Sequence, residues 1–333
     1  MKKIIKHIFL SSFFGARVYY FFFDPIFNSE TLALKEGIKE FDRNLVNYGK
    51  TSSMLRRNIH RIEKGLIMKN RRSFFAEGYI DKTLSILEDV SDLKDYSREE
   101  LQWAFQVLEE FFNECDGSDV LEKASKKFFK LQKKFNSNDV EVFIPQKLKK
   151  YETGSINFSV LNEFMSNRKS VRWFGDGEVD KQKVIAAINS STSAPSACNR
   201  IPYKFYTSFN KTTVKKIADC AGGASTFSHN IPCIMAITGN LSFYEHERDR
   251  HLIYIDSSLA AMQLILALKS LGMHTCTINW PDDSKKDKAI RELIPLKKSE
   301  RVTMLLAIGH GDLQEKTPYS QKKDSSLVFE EIN

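Results

Sequence analysis

The sequence predicts an α+β protein in which an α-helical region, residues 1–155, precedes a domain of strands and helices, residues 156–333. Between Pro25 and Pro145 the chain contains no proline, and its apolar residues recur at near-helical spacing. After residue 156, short apolar segments bounded by turn residues alternate with segments of helical pattern. A length of 333 residues suits two domains of about 150 residues each.

Composition is that of an ordinary soluble protein. Hydrophobic residues make up 42% of the chain, and 50 basic residues against 42 acidic ones give a net charge of +8. This charge suits anionic small molecules, and because no nucleic-acid-binding fingerprint accompanies it, we expect no nucleic-acid partner. The cysteines are widely spaced and odd in number: Cys115, Cys198, Cys220, Cys233 and Cys276. They predict neither a metal site nor a disulfide framework, so we expect a reducing, cytoplasmic location.

Residues 1–23 form a basic and aromatic segment. Aromatic residues crowd positions 9–23, no acid precedes Asp24, and the clear cations are Lys2, Lys3, Lys6 and Arg17. Lys6 intrudes on the apolar core that a signal peptide needs, and Arg17 interrupts the run of about 20 apolar residues that a spanning helix needs. Two interpretations stay open. The segment packs on the helical region or a partner subunit, or it lies in a membrane interface, peripheral to the inner membrane face.

The helical region contains one concentrated polar cluster, residues 58–66 (NIHRIEKGL). On a helix His60 and Lys64 are neighbours four residues apart, and Gly65 is expected to end the helix. His60 and Glu63 form either an acid/base pair or, as we favour, part of a solvated helix end with internal ion pairs. Residues 136–158 are rich in turn-forming and charged residues, which predicts the boundary between the two parts.

The second domain is predicted to contain helices and strands in alternation. The helices are expected at residues 179–190, 211–221 and 256–271, and the strands at 203–208, 233–238, 273–281 and 302–308. Asp180 is expected to cap the first helix and Asp256 or Ser257 the third, while Gly222 and Gly272 end the second and third. The third helix is apolar nearly all round, so it must be buried.

Two motifs flank the first of these helices, RKSVR at residues 168–172 and SAPSACNRIP at residues 193–202. Arg168 and Arg172 stand four residues apart with Ser170 between them, so two guanidinium groups can converge on one planar anionic ligand through forked hydrogen bonds. The intervening helix would bring the two motifs together. This pattern is typical of a grip on a cofactor and not of a catalytic triad.

In order and spacing these motifs resemble the nitroreductase-like flavoproteins, and the resemblance covers residues 162–328. It implies a mixed sheet flanked by helices, a homodimer, and FMN held at the dimer interface. The implied reaction is ping-pong: NAD(P)H gives hydride to N5 of FMN, and an oxidised small-molecule acceptor then takes it. The flavin carries the chemistry, so no catalytic side chain is expected. The N-terminal helical region resembles the extension of one subgroup of this family.

The resemblance also implies roles for individual residues. Arg168 and Ser170, with Lys322 from the C-terminal segment, would hold the phosphate region of FMN. Arg172 would lie beside N1 and O2 of the ring, where a fixed cation stabilises the negative charge of reduced flavin. Asn199 would contact the pyrimidine end, and the remaining residues of the expected cofactor-binding set in the two motifs are Lys169, Pro195, Ser196 and Ala197.

Residues 273–281 are expected to run from the strand into a loop, and the end of this loop would give a backbone N–H to flavin N5, at Asn279 and Trp280. Many members of the family carry glycine in this loop, so Trp280 is expected to narrow or reshape the substrate side. Two other functions stay open beside a general FMN oxidoreductase. One is a biosynthetic flavoenzyme acting on a saccharide- or lipid-linked intermediate, and the other is a non-catalytic, membrane-associated scaffold.

Overall fold

A computed structural model of the chain describes residues 6, 8–44, 49–115, 117–135, 141–147 and 156–332. Among the described residues of the N-terminal region, every regular element is a helix, which confirms the predicted α-helical character. The helices are α1 (Phe13–Phe22), α2 (Asn28–Asn44), α3 (Ser53–Leu66), α4 (Glu77–Ser91), α5 (Arg98–Glu114) and α6 (Asp119–Gln132). The predicted boundary at residue 155 falls within residues 148–155, which lie outside the described residues, so it stays a prediction.

Helices α3 to α6 pack around a hydrophobic core of their own. The fully buried residues of this core include Leu55, Ile59, Ile62, Leu84, Leu108, Phe111 and Phe128. Gly65 lies within the last turn of α3, which continues to Leu66, so Gly65 does not end the helix as predicted. A Cβ at Gly65 would stand 2.1 Å from a ring carbon of Phe75, so the glycine is needed for close packing at this position.

The second domain contains a four-stranded sheet between two layers of helices. Its helices are α7 (Phe158–Ser166), α8 (Lys181–Ser191), α9 (Lys211–Ala221), α10 (Leu252–Ser270) and α11 (Ser284–Leu293). Its strands are β1 (Tyr203–Ser208), β2 (Cys233–Asn240), β3 (His274–Asn279) and β4 (Glu300–Gly309), in the order β1-β2-β4-β3. All three strand pairs are antiparallel. An isolated parallel bridge joins Ser170 to Thr275, beside β3.

Side chains of the strands alternate between the two faces of this sheet. On one face Ile234 and Ala236 pack with apolar residues of α9 and α11. On the other face Met235 and Ile237 pack with apolar residues of α8 and α10. Sheet and helices thus form a three-layer α+β domain, which confirms the predicted class.

Helix α10 begins at Leu252, four residues before the predicted start at Asp256. Asp256 is therefore not an N-cap but a buried carboxylate, which accepts hydrogen bonds from the hydroxyl of Tyr244 (2.9 Å) and the N–H of Ala197 (3.1 Å). By length and composition the helical stretch Glu247–Ser270, which contains α10, could cross a membrane. It packs on all four strands and on α8, but Ile255, Leu259 and Met262 are exposed, so the prediction of a buried helix holds for one side of it.

The N-terminal region contacts the second domain at the end of the sheet. Helix α2 packs on the turn Leu241–Phe243, where a Cβ at Gly37 would stand 2.7 Å from the Cβ of Leu241. Glu40 of α2 accepts hydrogen bonds from Lys297 (2.6 Å) and Ser299 (2.5 Å). Helix α3 packs on the turn Ala197–Asn199 of the second motif.

Candidate cofactor-binding groove

Residues 168–172 run beside strand β3 in an extended conformation. The bridge between Ser170 and Thr275 fixes the register, and the N–H of Val171 donates to the carbonyl of Thr275 over 3.0 Å. Val171 is buried in the core below the sheet. The first motif is thus anchored along β3, which positions Arg168 and Arg172 near the edge of the sheet.

Three adjoining depressions follow this segment, and we call them together the edge groove. The first has a volume of about 360 Å³ and is lined by Arg168, Lys169 and Ser170 on one side and by residues 318–322 on the other. Lys322 is among those C-terminal residues, so the structure brings it to the first motif as predicted. Lys169 also lines the second depression, of about 230 Å³, and Arg172 lines it too.

The third depression lies at the end of strand β3. It has a volume of about 220 Å³ and is lined by Arg172, by Thr277, Ile278 and Asn279 of β3, and by Gly223. Because Arg172 lines both the second and the third depression, it stands in the middle of the edge groove. The groove therefore runs from Lys322 at one end to Asn279 at the other, and six of the predicted cofactor-binding residues line it.

Positive charge is concentrated at the Lys322 end. Lys269 of α10 donates a hydrogen bond to the carbonyl of Phe164 over 2.5 Å. Burial lowers the pKa of its ammonium group, and the charges of Arg168 and Lys169 lower it further. Lys269 therefore adds a third cation close to Arg168 and Lys169, and a bound anion would reduce the repulsion among the three. The sequence alone gave no signal for Lys269, because its approach to the first motif depends on how α10 packs.

Asn230 holds the backbone of the first motif in place. Its Oδ1 accepts the N–H of Phe174 over 2.8 Å, and its Nδ2 donates to the carbonyls of Arg172 (3.1 Å) and Phe227 (2.9 Å). The amide thus joins the turn before β2 to the segment that carries Arg172. Its only sequence signal is a place beside His229 in a predicted turn.

The second motif lies apart from the edge groove. None of Pro195, Ser196, Ala197 and Asn199 is among the described residues that line the three depressions. The motif adopts strained backbone conformations, with φ of 53° at Cys198, 52° at Asn199 and 52° at Ile201. Helix α8 therefore does not bring the two motifs together within one chain, contrary to the expectation from sequence.

Trp280 follows the end of β3, but its side chain does not face the groove. The indole is 7% exposed, packs in the core on the α9 and α11 side of the sheet, and donates its Nε1–H to Asp287 over 2.9 Å. The expectation that Trp280 narrows the substrate side is therefore wrong. A role for the backbone N–H groups of Asn279 and Trp280 stays a prediction.

His60 and Glu63 form a pair within helix α3. The Nδ1 of His60 lies 3.1 Å from Oε2 of Glu63, while Oε1 of Glu63 accepts the indole N–H of Trp103 over 2.9 Å. The internal pair agrees with the favoured interpretation of this cluster. The structure differs from that interpretation in one respect, because the pair is partly buried against α5 and does not lie at a solvated helix end.

His274 gives a testable pH dependence at the groove. The N–H of Gly311 donates to its Nδ1 over 3.1 Å, so this bond needs a neutral imidazole. Partial desolvation, with the neighbouring His310 and Lys269, lowers the pKa of the exposed His274 imidazole below 6.5. As pH falls, the unfolded chain therefore binds a proton before the folded chain does, and stability is lost. Thermal unfolding between about pH 7 and pH 5 should show a decrease in Tm that is smaller in His274→Gln.

The matched control for this experiment is His246→Gln, which alters an exposed histidine away from β3. It should retain the full pH dependence of the unmodified protein. An unchanged pH dependence in His274→Gln would contradict the assignment.

The second domain is thus a three-layer α+β domain with a cationic groove at the edge of an antiparallel sheet. Residues 210–310 match the model of the Nitroreductase family. The C-terminal part of the chain is therefore similar to this family, and the N-terminal helical region lies outside the matched residues.

Similar proteins are found among curated sequences and solved structures. A protein of Archaeoglobus fulgidus, provisionally named an NADH dehydrogenase/NAD(P)H nitroreductase, is 23% identical over 148 residues, which cover 43% of this chain and 80% of that protein. An FMN-dependent nitroreductase from Clostridium difficile R20291 is 24% identical, with a TM-score of 0.42 over 51% of this chain and 96% of its own. A nitroreductase family protein from Streptococcus pneumoniae TIGR4 is 22% identical, with a TM-score of 0.43 over 52% and 100% of the two chains.

Proposed function

We propose that this protein is an FMN-dependent oxidoreductase that takes electrons from NAD(P)H and passes them to an oxidised small-molecule acceptor. The observation that carries the proposal is the edge groove, which has cations at one end, Arg172 in its middle and the end of β3 at the other. The match of residues 210–310 to the Nitroreductase family model supports a flavin cofactor, and the provisional name of the A. fulgidus relative supports the reductant.

The residues of the groove fit FMN in their chemistry. Arg168, Lys169 and Lys322 line the first depression and would hold the phosphate as charge-assisted hydrogen-bond donors. Lys269 adds a further cation near Arg168 and Lys169 at this end. Asn279 would bound the ring at the other end, beside the backbone N–H groups that follow β3. When bound, FMN supplies the capacity to accept and release hydride.

Arg172 would orient the ring and stabilise negative charge in the middle of the groove. Asn230 fixes the backbone carbonyl of Arg172, so the point on the main chain from which this side chain extends is defined. A cation that is held in place before the reaction stabilises developing charge without the cost of reorganisation. The residue thus acts on the electronics of the cofactor and is not a proton donor or nucleophile.

We further propose a homodimer in which the partner supplies the second motif. Within one chain Ser196 and Asn199 lie apart from the groove, so a complete site of the expected composition needs a second copy. Helix α10 supports this arrangement because Ile255, Leu259 and Met262 are exposed on one side of an otherwise buried helix. Exposed apolar side chains on a central helix are typical of a subunit interface.

The test is a visible absorption spectrum of the purified full chain, loaded with FMN and then treated anaerobically with NADH or NADPH. We expect flavin bands that bleach on reduction and return when a quinone or nitro compound is added. Arg172→Gln should reduce the rate of bleaching by about tenfold or more, because a fixed cation beside developing charge is lost. Lys211→Gln, which removes an exposed cation from the start of α9, should bleach at the original rate.

Three outcomes would each contradict one part of the proposal. If no FMN binds, the cofactor assignment fails. If FMN binds but its bands persist with both nicotinamide nucleotides, the assignment of the reductant fails. A single-chain molecular mass for the FMN-loaded protein would contradict the homodimer.

A further inference from the structure

Helix α1 presents a face of exposed phenylalanines, which we call the aromatic face. None of the ten residues of α1 is buried. The side chains of the aromatic face are 80%, 76%, 77% and 71% exposed, at Phe13, Phe14, Phe21 and Phe22 respectively. Four exposed phenylalanines on one short helix are unusual on a protein surface and indicate that this surface binds an apolar partner.

The opposite side of α1 already has its partners. Tyr19 contacts the rings of Phe9 and Phe23, and Tyr20 contacts Phe27. The ammonium group of Lys6 stands 5.6 Å from the ring centres of both tyrosines. The tyrosines therefore have ring partners within the segment, although Phe23 and Phe27 are themselves 61% and 52% exposed, whereas the aromatic face is the most exposed side of α1. The interpretation that α1 packs on the helical region does not account for this face.

The charge of the segment distinguishes between two possible partners of the aromatic face, a second copy of the chain and a lipid membrane. Arg17 lies on the aromatic face, with its guanidinium 5.7 Å from the ring centre of Phe13, and is itself exposed. No acidic residue precedes Asp24, while the segment contains Lys2, Lys3, Lys6 and Arg17. In a symmetric dimer through this face, each Arg17 would approach its own copy, and the repulsion would oppose association. An anionic lipid surface instead attracts Arg17 and the net positive charge of the segment, in which Lys6 already pairs with Asp24 over 3.5 Å.

The length of α1 decides how it could lie in a membrane. At 1.5 Å per residue its ten residues extend over about 15 Å, half of the roughly 30 Å of a bilayer core. It is therefore too short to span. Aromatic side chains favour the headgroup boundary, and an arginine among them can extend its charged end into the phosphate layer.

We propose that α1 lies in the interface of an anionic membrane, with the aromatic face inserted and Arg17 directed to the lipid phosphates. The proposal does not depend on the flavin or on the reaction. It assigns to this segment a peripheral anchoring role.

The test is co-sedimentation of the full chain with vesicles of phosphatidylcholine alone and with about 30% phosphatidylglycerol added. We expect binding to the anionic vesicles and weak or no binding to the neutral ones. A quadruple variant with Phe13, Phe14, Phe21 and Phe22 all changed to Ser should lose at least tenfold in vesicle affinity, because each insertion buries a large apolar side chain. Arg17→Gln should reduce the preference for anionic vesicles.

The matched control is the double variant Phe158→Ser/Phe329→Ser, whose phenylalanines are 79% and 71% exposed but lie outside the segment. It should bind vesicles as the unmodified chain does. Equal binding by the quadruple variant and this control, or no binding of the unmodified chain to anionic vesicles, would overturn the proposal. So would size-exclusion data in which the quadruple variant, but not the control, dissociates a dimer, since the occupant would then be a second copy.

Discussion

Replacing Glu100 by alanine is expected to lower the free energy of unfolding by about 3 kcal/mol, because it removes a buried carboxylate and leaves the partly buried Arg56 and three further donors without their acceptor. Glu100 is 4% exposed, and its carboxylate accepts hydrogen bonds from Arg56 (3.1 Å) and from the N–H of Ser52 (3.0 Å). The hydroxyls of Thr51 and Tyr96 donate to it as well. Burial and this carboxylate raise the pKa of Tyr96, so the phenol stays a donor over the physiological range.

The same substitution should weaken FMN binding, although Glu100 is not in the groove. Arg56 donates its Nε–H to the carbonyl of Asn199 over 2.8 Å, while its NH1 group donates to Glu100. Asn199 belongs to the strained second motif, and strained backbone persists only where surrounding contacts hold it. Without Glu100 to orient Arg56, the motif loses a contact from the N-terminal region. Arg56 and Glu100 are thus positioning residues for the motif.

Thermal unfolding and an FMN titration followed by fluorescence would measure both effects. Glu99→Ala is the matched control, because Glu99 precedes Glu100 on α5 but is exposed. Should Glu100→Ala fail to fold, Glu100→Gln retains the size of the side chain, and Arg56→Lys retains the charge while losing the Nε–H donor. A loss of stability in Arg56→Lys with unchanged FMN affinity would leave only a structural role for the network.

The double variant Arg168→Gln/Lys322→Gln is expected to lose at least a hundredfold in FMN affinity. Each change removes a charged donor from the first depression, and a hydrogen bond to a charged group contributes about 1.5–3 kcal/mol, or roughly tenfold or more in affinity. The fold should be unaffected because Lys322 is exposed and Arg168 supports no core packing. Titration of the apoprotein with FMN is the direct measurement.

Riboflavin, which lacks the phosphate, shows whether the lost FMN affinity comes from the phosphate contacts or from a general change in the protein. The double variant should bind riboflavin as the unmodified protein does, since the lost cations face only the phosphate. A second double variant, Lys181→Gln/Lys211→Gln, removes the same charge from the exposed starts of α8 and α9 and should bind FMN normally. If the two double variants bind FMN equally well, the phosphate end of the groove is misassigned.

Features fixed by near neighbours in the chain could be predicted from the sequence. Asp180 caps α8 through the N–H groups of Gln182 and Lys183, and α9 ends at Gly222, whose φ is +71°. Strand β1 has the predicted bounds. These elements depend on capping, alternation and turn chemistry, which act over a few residues.

Features fixed by distant residues could not be predicted. The carboxylate of Asp256 has the sequence pattern of an N-cap, but its partners are Tyr244 and Ala197, the latter 59 residues away. Trp280 follows a strand in a predicted loop, and only the packing of α11 shows that Asp287 draws its indole into the core. The two motifs are close in sequence, yet nothing local indicates that they lie apart within one chain.

The crowding of cations at one end of the edge groove also has a consequence for the speed of cofactor capture. With FMN as the proposed ligand, Arg168, Lys169, Lys269 and Lys322 would act on its phosphate before any hydrogen bond forms, because their fields extend for about a Debye length, roughly 8 Å at physiological ionic strength. Such a concentration of positive charge raises the rate at which FMN encounters the protein and orients its phosphate toward the groove. Apoprotein should therefore take up FMN faster than riboflavin, with a rate that declines as salt is added.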